Sequence, residues 1–145
     1  MRHILVPVDP SQPARTRAAI ERVVRLYREE PAATTVHLLR VEPQVSGHVA
    51  MFFGSGELRD LQLAAASEDL QSAQAQLDAA GVPYDSSVRV GRSAPTIIAA
   101  AQEYGCDRIV FGPEQPSLAG RVFGSLAQQV RQLLGAGAQA QVIGS

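Results

Sequence analysis

Apolar residues fall along this chain in two alternating rhythms. Short, nearly continuous apolar runs come first. His3–Val8 (HILVPV) is β-branched and ends in Asp9, Pro10 and Ser11, residues of turns and helix starts. Thr35–Val41, Tyr84–Val90, Arg108–Gly112 and Ala140–Ile143 are the other strand-like runs. Between them the apolar spacing becomes helical. Ser11 is a candidate cap for a first helix, with Pro13 in its first turn and Ala14, Ala18, Val23 and Leu26 repeating to about Arg28. Pro31 stops it. A second helix is predicted over Glu57–Ala80, its face formed by Leu61, Ala64, Ala65, Glu68, Leu70, Ala73 and Leu77, and Gly81 and Pro83 end it. Ser93 is read as the cap of a third helix over Pro95–Tyr104, and Leu126–Leu134 forms a fourth.

The order is therefore β-α-β-α-β-α-β-α-β. Strict alternation with near-continuous apolar strands predicts a parallel sheet covered by helices on both faces. The third strand carries Asp85, Ser86, Ser87 and Arg89, so it is placed at a sheet edge. With 145 residues and no internal repeat, residues 1–145 read as one α/β domain. One connection resists the pattern. Gln44 to Gly56 is long and contains Met51, Phe52 and Phe53, so it either packs its two aromatics back onto the second helix or closes over the ligand end of the sheet or touches a partner, with Gly54-Ser55-Gly56 as a hinge.

Charge removes several function classes. Thirteen basic residues face fourteen acidic ones, and a net charge of −1 gives no general pull toward nucleic acid or anionic membrane. No apolar run approaches the ~20 residues that span a bilayer. No export signal is recognisable at the N-terminus, so a cytoplasmic location is expected. The lone Cys106 allows no internal disulfide and reads as core packing. His3, His37 and His48 lack metal-ligand spacing. There is neither a nucleophile elbow nor a Gly-Lys-Ser/Thr phosphate loop.

Chemistry is expected where strand order reverses, beyond the carboxyl ends of the strands. The first strand ends at Asp9 and the fourth at Phe111-Gly112. If those strands are neighbours, Asp9 faces the Gly112 loop. Its carboxylate then either accepts hydrogen bonds from a ligand or merely closes the following turn. Arg89 and Arg92, flanking Gly91, are either anion contacts or solvated surface arginines.

Several segments, taken in order, resemble the universal stress protein family: ILVPVD at the start, LLRVEP at the end of the second strand, AAGVPYDSSVRVG into the third, and CDRIVFG with FGSLAQQV toward the end. The resemblance covers nearly the whole chain apart from Gln44 to Gly56. It implies an open five-stranded parallel sheet ordered 3-2-1-4-5, adenine nucleotide alpha hydrolase-like, and homodimers paired through the last strand, here Ala140–Ile143. One branch of the family binds ATP and another does not. Pro7, Asp9 and Val41 stand where the family lines adenine and ribose.

The ATP-binding branch carries a glycine motif after the fourth strand: glycine, two residues, glycine, nine residues, then glycine and serine or threonine. Gly112 matches the first glycine, and Gly124 and Ser125 match the end. Gln115 replaces the second glycine, and eight residues, one too few, separate it from Gly124. Gly120 is out of register. A phosphate loop aims backbone N–H groups at its anion, often from positive φ. Pro113 and Pro116 have no N–H, and Glu114 repels phosphate, with Arg121 a partial offset. The expectation is a regulatory or binding module of the stress response without robust ATP binding and with no obligate cofactor. The alternatives are an adenine-nucleotide-dependent switch or slow ATPase, and a sensor of adenosine mono- or diphosphate.

Overall fold

The computed structural model describes residues 2–43, 54–113, 126–135 and 140–144. Strands β1 (Arg2–Pro7), β2 (Thr34–Glu42), β3 (Asp85–Val90), β4 (Arg108–Val110) and β5 (Gln141–Ile143) alternate with helices α1 (Pro13–Glu29), α2 (Ser55–Ala79), α3 (Ser93–Glu103) and α4 (Leu126–Leu134). A short 3-10 turn, Pro31–Ala33, leads into β2. The five strands form one sheet in the order β3-β2-β1-β4-β5, and every pairing is parallel. The polar β3 lies at an edge, as its composition predicts.

The sheet sorts its side chains by alternation. Ile4 and Val6 of β1 face one side and pack with Ala19, Ile20 and Val23 of α1 and Leu70, Ala73 and Leu77 of α2. Leu5 faces the other side and packs with Ile97 and Ala100 of α3 and Ala127 and Val130 of α4. Because β1 is buried on both faces, its sequence is apolar at every position from Ile4 to Val6. Cys106 is buried in the second layer, where burial first and the Asp107 charge second push its thiol pKa up to about 11.

Several boundaries shift for identifiable reasons. Val8 and Phe111 lie just past their strands, yet the ladder runs on: Val8 N–H donates to Leu39 O at 2.8 Å and Phe111 N–H to Ile143 O at 2.7 Å. Ser11 does not cap α1. Its N–H and hydroxyl both donate to Asp9 Oδ1, at 2.9 and 2.6 Å, and the N-cap residue is Gln12. Ser93 is likewise the first helical residue rather than the cap, which is Arg92.

The second helix begins earlier than its sequence suggests. Gly54 is its N-cap and Ser55 and Gly56 are already helical, so this triplet is a helix start and not a hinge. The rest of the Gln44 to Gly56 loop lies outside the described residues. On α2, Ala66, Leu70, Ala73 and Leu77 are buried, while Leu61, Ala64, Ala65 and Glu68 are exposed. Length accounts for this. The 25 residues of α2 extend roughly 37 Å at 1.5 Å each, beyond the roughly 30 Å of even the nine-residue β2. Its first turns therefore have no sheet beneath them.

Candidate functional site

Strand order reverses between β1 and β4: α1 carries the chain from β1 toward β2, and α3 carries it back across to β4. Just beyond the carboxyl ends of β1, β2 and β4 lies a cavity of about 90 Å³. That is well above what one water needs. Pro7, Asp9, Val41 and Gly112 all line it, so four of the six site residues expected from sequence meet there. Gly124 and Ser125 lie outside the described residues, as do Glu114, Gln115, Pro116 and Arg121.

The floor is apolar. Val8, Leu39 and Val41 are each at most 6% exposed. The polar rim starts at Asp9, which is half-buried. The described bonds to its carboxylate, both from Ser11, fall on Oδ1. Thr16 fixes the Asp9 backbone: Asp9 N–H donates to its hydroxyl oxygen at 3.2 Å, and that hydroxyl lies 3.3 Å from Asp9 O. Asp9 thus does close the turn into α1, and Oδ2 is left without a partner among the described residues. Arg40 on the rim is neutralised, bonded to Asp69 at 3.0 Å and within 3.5 Å of Glu42.

Two arginines missed in the sequence reading organise the β4 exit. Arg22 donates to Phe111 O at 3.2 Å and Arg15 Nε donates to Gly112 O at 3.0 Å. The Arg15 guanidinium also lies 5.5 Å from the Phe111 ring centre, in cation–π range. Arg15 is 9% exposed, and its Nη2 is buried without a hydrogen-bond partner among the described residues. A faint signal existed in the sequence. Arg15 lies one helical repeat before the buried Ala19 and Val23, so it occupies the inward stripe of α1.

The same contact explains Gly112. A Cβ built there would lie 2.0 Å from Arg15 O and 2.8 Å from Arg15 C. The first turn of α1 passes too close for any side chain. Gly112 is therefore required by packing in this chain, whether or not a phosphate is ever bound.

Other candidates resolve into structure. Arg89 is engaged by Glu103 and by the Tyr104 hydroxyl at 3.2 Å, so it ties β3 to the end of α3. Arg92 is exposed at the N-cap of α3. His3 bonds Thr35, and His37 bonds Ser87 at 2.8 Å while stacking on Tyr104 at 4.1 Å. His48 is outside the described residues. Among the described residues no group of His, Cys, Asp and Glu could hold a metal ion, and no helix is long and apolar enough to cross a membrane.

Comparison with known proteins agrees with this fold. Residues 1–134 match the model of the universal stress protein family. Solved structures of similar fold include a universal stress protein in complex with cAMP, at 16% identity over 99% of this chain and 96% of that one, with a TM-score of 0.70. The Archaeoglobus fulgidus universal stress protein in complex with dAMP matches at 20% identity, 99% and 97% coverage and a TM-score of 0.67. An Arabidopsis thaliana universal stress protein family protein with AMP bound matches at 14%, 99% and 90%, with a TM-score of 0.64. No curated protein matches the chain.

Proposed function

This chain belongs to the universal stress protein family, and on that premise we propose that it is a binding module of the stress response whose cleft takes an adenine mononucleotide and does not hold ATP tightly. One observation carries this reading: Pro7, Asp9, Val41 and Gly112 converge on a cavity with an apolar floor and a carboxylate oxygen that has no partner among the described residues. A flat base suits Val8, Leu39 and Val41, and Asp9 Oδ2 can accept from an amino or ribose hydroxyl donor. Three proteins of the same fold carry cAMP, dAMP and AMP. The triphosphate half is where this sequence departs from the family, through Gln115, Pro113, Pro116 and Glu114. Amide chemical shifts test the placement. Titration with AMP should move Val8, Asp9 and Val41 and leave β3 still. Shifts confined to β3 and α2 would place the ligand elsewhere and overturn the reading.

The same reading includes a cytoplasmic homodimer. β5 is an edge strand bonded to β4 on one side only, and Val142 and Ile143 are half-buried. An open edge is a liability that pairing with a second copy removes. Deleting the residues after Gly137 should convert a dimer into monomers or insoluble protein. An unchanged dimer by light scattering would remove β5 from the interface.

A further inference from the structure

We propose that Arg15 is the anion receptor of the cleft and takes the single phosphate of the mononucleotide in place of the degenerate glycine loop. This rests on the mononucleotide reading above and adds a residue and a chemistry to it.

The argument begins with an unmet demand. A guanidinium stays charged at any pH a protein meets, so burial cannot be relieved by losing a proton. Arg15 is 9% exposed and has five N–H donors to satisfy. Nε is used by Gly112 O, and the Phe111 ring supports the cation from one side. Nη2 is buried and has no hydrogen-bond partner among the described residues. No carboxylate among the described residues pairs with Arg15. Buried charge of this kind is expected to meet an opposite charge.

Position supplies the second half. Arg15 lines the same cavity as Asp9 and Val41, so an anion bonded to it there would share that cavity with whatever occupies the floor. Ser93, the first residue of α3, lines the cavity too. The N–H groups of Ser93 and Ala94 have no partners within the helix, and a helix start favours negative charge. One guanidinium and one helix start suit one phosphate. They do not make a cradle for three.

The test compares adenosine with AMP by calorimetry, using the full chain. In the wild type AMP should bind roughly 10- to 100-fold more tightly than adenosine, the worth of a charged hydrogen-bonded contact. Arg15→Gln should erase that preference, so that AMP and adenosine bind alike. Arg17→Gln, a charge change on the exposed side of α1, should keep it. Equal wild-type affinities for the two ligands would overturn the proposal, and this comparison needs no variant to fold. A preference that survives Arg15→Gln would overturn it as well. If neither ligand binds, the mononucleotide reading itself fails and the role of Arg15 falls with it.

Discussion

Replacing Gly112 by alanine separates a packing glycine from a phosphate-binding one. The added Cβ would sit 2.0 Å from the Arg15 carbonyl oxygen and 3.0 Å from Arg15 Cγ, where real Cβ contacts essentially never fall below 3.0 Å. The methylene can swing aside, but the carbonyl cannot. It belongs to the first turn of α1, so relief requires moving about 1 Å of helix backbone or breaking the Arg15 Nε to Gly112 O bond. Overpacking of this kind costs about 1–3 kcal/mol. A rigid backbone partner puts this case near the upper end, about 3 kcal/mol. For a domain of this size that lowers the melting temperature by roughly 6–12 °C. Gly56→Ala is the matched control: the same methyl, inside α2, with no atom within 4 Å of the new Cβ. It should stabilise by up to about 1 kcal/mol through helix propensity. Urea denaturation of both variants without nucleotide reads the difference directly. A Gly112→Ala protein within about 0.5 kcal/mol of wild type would refute the packing argument and return Gly112 to a purely ligand-binding role.

Three further outcomes follow from particular residues. The Cys106 thiol, buried and with its pKa raised to about 11, should react with a thiol reagent at pH 8 far more slowly than in unfolded protein, and equal rates would place it at the surface. Burial, ahead of the opposing Asp85 charge and the reinforcing Arg89 charge, lowers the His37 pKa below 6.5 in the folded state. The unfolded chain then binds more protons, so the His37 contribution is fully present above about pH 6.5 and is lost as pH falls through the folded value. The urea midpoint should fall with pH below 6.5, and His37→Gln should flatten that slope; an unchanged slope would assign it to other groups. Replacing Pro113, Glu114 and Gln115 with small residues including glycine, and inserting one residue before Gly124, should raise ATP affinity; no gain would mean that the loop is not the limiting defect.

What the sequence made legible was set by local repetition. HILVPV announces a strand buried on both faces because every position answers to the same apolar surroundings. Asp85, Ser86 and Ser87 announce an edge for the converse reason. Asp9 and Gly112 could be placed together because the carboxyl ends of parallel strands share one end of the sheet, and the family resemblance added Pro7 and Val41. Arg15 could not be read this way. An arginine in a first helical turn usually points to water, its place on the inward stripe of α1 is only a faint counter-signal, and the bond that holds it inward is to Gly112, 97 residues away. The need for glycine at 112 is hidden for the same reason, since the atom that excludes a side chain belongs to α1. Leu61 on α2 misled in the opposite direction. Its spacing is helical and apolar, but burial also needs a sheet below, and the helix outruns it.

The measurement closest to the main claim is the ratio of ATP to AMP affinity, taken by calorimetry with magnesium present. A cleft with Arg15 as its proposed anion receptor and a glycine motif broken at Gln115 should bind ATP no more tightly than AMP, because Pro113 and Pro116 have no N–H to offer and Glu114 adds a negative charge to the motif. ATP binding tighter than AMP by tenfold or more, or stoichiometric ATP carried through purification, would contradict it and make the chain a nucleotide-dependent switch with an intact triphosphate site.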